Sequence, residues 1–511
     1  MDNEKTPPLE VEPWHWSRML LRNPVSLAGV ALTIVSVANI FIFVLIDAIA
    51  VKPSPYVGIL AYMVSPGFMI LGMLLMLAGV LLERHKHLAP SAFYPRVDLN
   101  DATQRSAVVS FVTFLVVFVA VSSAGSYKAY EFTESTSFCG QLCHTVMIPE
   151  YTAYQLSPHA RVACAECHVG AGATWFVKSK LSGTRQVFAT VFNTFPRPIP
   201  SPVHNLRPAQ ETCEQCHWPK KFYGAQLKVF SHYGDDEKNT LHQIRMLIKT
   251  GGGDPATGAP EGIHWHMNIG NKIDYVAADE KRQIIPYIHV EDMQGRVTEY
   301  YAKDSTLTKD QIQAQVAKGA THHMDCVDCH NRPTHIYVPP DLAVDQSLLA
   351  RRIDAALPFL KQQAVTVLTA NYKTSDEAMR GIASGLQDFY EKKYPDVAKT
   401  KQLDIRNAVT EIQAIFGRTT FPDMKLNWQT HPNNLGHYYY PGCFRCHDGQ
   451  HVSPDGKVIT RDCNQCHTMM SETEGTATAA IPSAPPFQHP VDIGDLTQVN
   501  CADCHTGGTG P

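Results

Sequence analysis

The chain has 511 residues, too many for one compact core, and length alone sets a prior of three or four domains. Its 44 Lys+Arg against 48 Asp+Glu give a formal charge of −4, without the basic surplus that nucleic-acid binding requires, so DNA and RNA drop out as partners. The hydrophobic share of 44% suits a soluble protein only as an average, because the longest apolar runs are gathered at the amino terminus.

Three such runs come first: about Leu27 to Ala50 with one acid at Asp47, then Val57 to Leu82 and Ser106 to Tyr127, both uncharged. At about 1.5 Å per residue even the shortest covers roughly 30 Å as a helix, the thickness of a bilayer's hydrocarbon. Lys5, Arg18 and Arg22 precede the first run, and Arg84, Lys86, Arg96 and Arg105 lie between the second and third, whereas the first loop carries only Lys52. The positive-inside rule then predicts a cytoplasmic amino terminus and, after three crossings, delivers everything beyond Tyr127 to the opposite face. No pattern of a cleavable signal peptide precedes the first run.

All 14 cysteines fall into pairs. Six pairs are Cys-x-x-Cys followed at once by His: Cys164/Cys167/His168, Cys213/Cys216/His217, Cys326/Cys329/His330, Cys443/Cys446/His447, Cys463/Cys466/His467 and Cys501/Cys504/His505. A seventh, Cys139/Cys143/His144, is one residue longer. Chance would supply roughly 0.02 matches to the five-residue pattern at these Cys and His frequencies. The spacing answers a chemical need: two thiols add across the vinyl groups of one haem, and the adjacent imidazole becomes the proximal iron ligand. Structural zinc does not require a His after every pair, and seven Cys-x-x-Cys disulfides would make an odd framework. Seven covalent haems use every thiol.

Two long stretches lack cysteine. About Trp218 to Ala320, short apolar runs such as Tyr287 to Val290 alternate with turn-rich segments such as Gly251 to Pro255, which predicts some strand and much loop. About Asp341 to Phe416, the spacing of Ile382, Leu386, Phe389 and Tyr390, and of Ile405, Ala408, Ile412 and Ile415, predicts helical hairpins. Thr473 to Pro486 reads as a loop. The expected fold is mainly α: three transmembrane helices over 1–127, a three-haem module over 128–217, a mixed segment with the fourth haem over 218–340, a haem-free helical insert over 341–420, and a second three-haem module over 421–511.

An electron carrier fills both axial positions of its iron, whereas a catalytic haem keeps one open. Distal ligands therefore separate carrier from reductase. The candidates chosen are His159, His204, His335, His437, His451 and His489, each in a turn-rich or extended segment near a motif, with His323 and the pair His264/His266 in reserve. For the first motif, Met147 follows His144 by three residues and could supply a thioether.

From the third span through the third motif, about Ser106 to His217, the chain resembles the NapC/NirT family of membrane-anchored multihaem quinol dehydrogenases. The resemblance lies in the span ending just before Cys139, the Met after the first motif, the stretch Ser157, Pro158, His159 before Cys164, and the lysines after His168. With seven motifs and the run Cys329, His330, Asn331, Arg332, Pro333, Thr334, His335, the whole looks like the seven-haem inner-membrane cytochromes of metal-reducing bacteria. The resemblance implies oxidation of menaquinol at the outer face, with a lysine and an acid beside the quinol. Lys180 best matches that lysine, with Lys178 beside it. No Asp or Glu occurs between Glu166 and Glu211, so the proton acceptor is assigned by proximity to Glu150 or Tyr151. The first motif's three intervening residues, and Met147 one place later than usual, are further departures from the family pattern.

The residues read alone reach the same function, since a haem array tethered on the outer face by its own spans has the quinol pool as its abundant lipid-soluble donor. The expected protein is a bacterial inner-membrane quinol dehydrogenase, its haem domain in the periplasm. It passes electrons to a soluble periplasmic multihaem cytochrome, on a respiratory route that can end at extracellular metal oxides. The alternatives are a terminal reductase of a small oxyanion at an open haem, and a relay subunit of a larger membrane complex.

Overall fold

The computed structural model describes residues 23–49, 64–87, 98–142, 144–169, 173–203, 206–218, 222, 224–251, 262–268, 270–475, 477–480, 494 and 499–508. The chain divides into two compact units, Met1–Leu142 and Cys143–Pro511.

The first unit contains three long helices, α1 (Pro24–Ile49), α2 (Ser65–His87) and α3 (Ala102–Thr133). Two of them, over Pro24–Phe43 and Ser65–Leu82, are long and apolar enough to cross a membrane. They pack on small residues. A Cβ at Gly29 would stand 2.5 Å from the Met76 nitrogen, one at Gly72 would stand 2.5 Å from Thr33 Oγ1, and one at Gly79 would strike Ser26. The Asn23 side-chain amide donates to the Gly79 carbonyl at 3.2 Å. Close backbone approach through Gly, Ser and Thr is how helices associate in lipid, where apolar side chains gain nothing by leaving the solvent. The large residues point outward instead, with Ile34 63% and Phe41 68% exposed. On α3, a 32-residue helix, Asp101 caps the first turn by accepting from the amides of Thr103 and Gln104, while Val112, Val116 and Val121 are exposed.

The second unit begins with α4 (His144–Gln155) and α5 (Ala173–Val191). The stretch read as strand and loop forms parts of two antiparallel sheets. In the first, β1 (Gln226–Tyr233) and β2 (Leu241–Ile248) are joined by β8 (His467–Glu474) and β9 (Ala477–Ala480), in the order β1-β2-β8-β9. In the second, β3 (Lys272–Val276), β4 (Tyr287–Glu291) and β5 (Val297–Ala302) lie between two short edge strands, β6 (His322–His323) and β7 (His451–Val452).

The main apolar core belongs to a helical bundle, α6 (Pro340–Leu349), α7 (Leu360–Thr369), α8 (Ser375–Lys393) and α9 (Gln402–Thr419). Ile382, Leu386 and Tyr390 recur every four residues on α8 and are buried against Ile412, Ile415 and Phe416 of α9. Thr374 caps α8 by accepting from the Glu377 amide, and Lys392 and Lys393 complement the dipole at its end. Mainly helical structure with some sheet agrees with the expected class, and of the three expected spans two, α1 and α2, meet the length and apolarity of a membrane crossing among the described residues, in keeping with a membrane anchor.

Candidate metal centres

The cysteine motifs sit on single turns: Cys164–His168, Ala209–Cys213, Cys326–Cys329, Gly442–Arg445, Cys463–Gln465 and Cys501–Cys504. In four of them the histidine amide closes onto the carbonyl of the first cysteine, His217 to Cys213 at 2.8 Å, His330 to Cys326 at 2.9 Å, His447 to Cys443 at 3.0 Å and His505 to Cys501 at 2.8 Å. One helical turn brings residues i, i+3 and i+4 to one side, so two thiols and an imidazole converge. Around the fourth motif, Asp325 and Asp328 form a capping box, and the buried Asp328 carboxylate accepts from Tyr275 Oη at 2.5 Å and Arg282 Nη1 at 3.1 Å. None of the thirteen described cysteines is in a disulfide.

In four motifs the two thiols are not equally sheltered: Cys167, Cys216, Cys463 and Cys504 are exposed, whereas Cys164, Cys213, Cys466 and Cys501 are half-buried. At the third motif the reason is local. The helix ends at Cys213, and the chain turns out to the surface beyond it, with the Cys216 amide donating to the Cys213 carbonyl at 3.1 Å and Gln215, His217 and Trp218 exposed as well.

Five motif histidines each face a second histidine. Ring centroids lie 6.0 Å apart for His159 and His217, 6.2 Å for His168 and His335, and 6.3 Å for His264 and His330. They lie 5.8 Å apart for His266 and His447, and 6.3 Å for His437 and His467. Two metal–nitrogen bonds of about 2 Å, with half a ring at each end, put the centroids of two imidazoles on opposite faces of one iron about 6 Å apart.

The other ring nitrogen is held by the backbone in four of the facing histidines. Nδ1–H donates to Pro333 O in His159 (3.2 Å), to Glu150 O in His335 (3.1 Å), to Thr250 O in His264 (2.7 Å) and to Ile263 O in His266 (2.9 Å). Such bonds fix the tautomer and leave the Nε2 lone pair for a metal. Burial pushes His335 down to about 4, with Arg332 and His168 adding to the effect, and burial likewise pushes His437 down to about 4. Both imidazoles are therefore neutral at pH 7, the state that ligates iron.

His264 and His266 are only reserves on the sequence, yet they face two different motifs from one 3₁₀ turn, Ile263–Met267. The available signal was the His-x-His pattern. His451 requires a correction. It is 1% exposed, and both its ring nitrogens are engaged, Nδ1 with Asp448 Oδ1 at 2.9 Å and Nε2 with the Ile285 carbonyl at 2.7 Å. Burial opposes its charged form, but the Asp448 carboxylate and the Ile285 carbonyl outweigh that cost and raise its pKa. An imidazolium with two bound N–H groups has no lone pair for iron. His323 is half exposed and pairs through Nδ1 with Asp274 at 3.0 Å. Cys143, His204, His489 and the side chain of His144 lie outside the described residues. Met147 is half-buried against the cluster of Val146, Tyr337, Phe421 and Met424. The His505 ring stacks on Tyr438 at 4.4 Å, and Tyr438 stacks in turn on His232 at 5.6 Å, whose Nδ1 meets Asp345 Oδ2 at 3.3 Å.

Of the residues assigned to quinol, Lys178 and Lys180 lie on α5. The Lys178 ammonium stands 4.7 Å from the centroid of the Trp175 ring. Glu150 and Tyr151 lie on α4, where Tyr151 stacks on Tyr154 at 6.2 Å. Glu150 Oε1 accepts from Tyr337 Oη at 3.1 Å, and burial raises its pKa. The helix α5 leaves Leu181, Phe188 and Val191 exposed on one side.

Residues 101–198 match the NapC/NirT cytochrome c family, N-terminal region, and residues 437–509 match cytochrome c3. The cytochrome c-type protein ImcH of Geobacter sulfurreducens is 46% identical over 503 residues, which cover 96% of this chain and 98% of that protein. No solved structure matches the chain. Both matched families are cytochromes c, which carry haem covalently, and the residues present fit that group: thiols paired on single turns, facing imidazoles of the right separation, and buried nitrogens of Arg207 and Arg332 that have no hydrogen-bond partner among the described residues.

Proposed function

Since the chain belongs to the ImcH type of NapC/NirT c-type cytochromes, we propose that it oxidises menaquinol at the outer face of the inner membrane and delivers electrons to a soluble periplasmic cytochrome. Its seven motifs would hold seven haems, which supply one-electron chemistry when bound. The observation that carries the carrier reading is the set of five facing histidine pairs, 5.8 to 6.3 Å apart, because an iron held on both sides takes and gives electrons without binding substrate. The distal ligands proposed are His335 for the second motif, His159 for the third, His264 for the fourth, His266 for the fifth and His437 for the sixth. A terminal reductase needs an open iron, which these pairs do not favour.

At the quinol end, Lys180 would hold a quinol oxygen and Lys178 would extend the basic edge of the same helix. Oxidation releases two protons with two electrons, and Glu150, whose pKa burial raises, or the neighbouring Tyr151 would accept a proton. Three crossings are proposed, α1, α2 and α3, with the amino terminus in the cytoplasm and the motifs in the periplasm. Anaerobic mixing of the detergent-solubilised protein with a menaquinol analogue tests the reading, with haem reduction followed optically. The wild type should be reduced rapidly, and Lys180→Ala should slow reduction at least tenfold. Reduction by dithionite but not by quinol would instead identify a relay subunit fed by another protein.

A further inference from the structure

A buried arginine beside the second motif lacks the anion its charge demands. Arg332 is 9% exposed. Its guanidinium cannot shed its proton, so it is a permanent charge in a dry place. Nε donates to the His335 carbonyl at 2.7 Å and Nη1 to Ser201 Oγ at 3.3 Å, while the buried Nη2 has no partner among the described residues. No described carboxylate hydrogen-bonds to it. The buried Glu150 accepts from the Tyr337 hydroxyl through Oε1 while its Oε2 has no hydrogen-bond partner among the described residues, so it acts on Arg332 only through its charge, and the guanidinium lies over the face of that same tyrosine ring, 5.1 Å from its centroid. Arg445 shows what a purely structural buried arginine looks like here. It is 8% exposed and its three nitrogens reach the carbonyls of Gly442, Arg282 and Asp328 at 2.9, 2.8 and 2.6 Å. Arg207, six residues before Cys213, is partly filled: its Nη2 pairs with Glu211 Oε2 at 3.1 Å, while its Nε and Nη1 are unpartnered among the described residues. At Arg332 an unpartnered guanidinium nitrogen thus stands beside the residue that faces His168, where it would be costly unless a charged acceptor met it.

We infer that Arg332 binds a propionate carboxylate of the haem attached at Cys164 and Cys167, and thereby raises the potential of the iron between His168 and His335. The placement follows from the bond to the His335 carbonyl, which ties the guanidinium to the backbone of the residue facing His168. The sign follows from charge. Ferric iron carries one more positive charge than ferrous iron, so a neighbouring guanidinium disfavours the oxidised state, and its loss lowers the potential. This inference rests on the covalent haem of the proposed function.

The test compares Arg332→Gln and Arg332→Lys with the full-length wild type in detergent. Haem content per chain is measured first, and a deficit already present in the wild type would refute the haem reading without touching Arg332. In fully loaded Arg332→Gln, one midpoint in a potentiometric titration should move to more negative potential with every iron still low-spin, and the propionate bending band in resonance Raman spectra should shift. Arg332→Lys, which keeps the charge but not the planar fork, should shift the Raman band and largely keep the midpoint. It supplies the readout if the glutamine variant does not accumulate. Unchanged midpoints and Raman bands would overturn the inference. So would a high-spin signal without a potential shift, since that would mean Arg332 only positions the His335 backbone.

Discussion

At the scale of single residues, two buried histidines show how little the residue type decides. His335 and His451 are both sheltered, but His335 spends one nitrogen on a carbonyl and stays neutral, while His451 spends both and is held charged. Replacing His335 by Ala should convert one low-spin haem into a five-coordinate, carbon monoxide-binding one, seen in electron paramagnetic resonance. Replacing His451 by Gln should leave every haem low-spin. Its effect is on stability: the folded pKa of His451 is raised, so its contribution is complete below the unfolded value near 6.5 and fades as pH rises through the folded value. His451→Gln should cost about 2 kcal/mol at pH 6 and less at pH 9, read from denaturant midpoints at the two pH values. The proximal motif was legible because its chemistry is written in five consecutive residues. What those five residues leave out is enclosure: the same spacing gives a sheltered Cys446 and a Cys216 standing at the surface. Nearness to a motif also put His159, His335 and His437 forward. It misled at His451, because neither Asp448 nor the Ile285 carbonyl from 166 residues away announces itself as a partner in one dimension.

At the scale of elements, the helical bundle was readable, as was strand β4 in the run Tyr287 to Val290, but the first sheet was not, for a physical reason. Helix α8 buries one stripe, so its period of four is visible in the sequence. Strand β1 carries no such mark: Leu227, Val229 and Phe230 are all exposed, and no alternation of buried and exposed residues runs along it. Its sheet is completed by β8, which begins at the sixth motif's own His467 more than two hundred residues later. The bundle's independence makes a prediction. Ile412→Ala removes a fully buried side chain and should cost about 3 kcal/mol, loosening hydrogen exchange in α8 and α9 while the visible haem spectrum stays unchanged. Coupled spectral change would mean that bundle and haem ligands unfold together.

At the scale of the whole molecule, mean composition concealed the anchor, because two apolar helices at one end are diluted by a long polar remainder. The proposed direction of insertion rests on the charges flanking those helices. Alkaline phosphatase fused after Lys52 should be active, and fused after Arg96 inactive; the opposite pattern would place the motifs in the cytoplasm, where c-type haem is not attached. The 3₁₀ turn Ile263–Met267 has a consequence at this scale. Four motifs lie before the bundle and three after it, and on the proposed ligand set His264 and His266 serve the last of the former and the first of the latter. On that set, two irons held by side chains two residues apart would be tied to each other through one short stretch of backbone. Breathing of the sheets or bundle would then leave that gap nearly fixed, and conformational control of electron flow would act elsewhere along the wire.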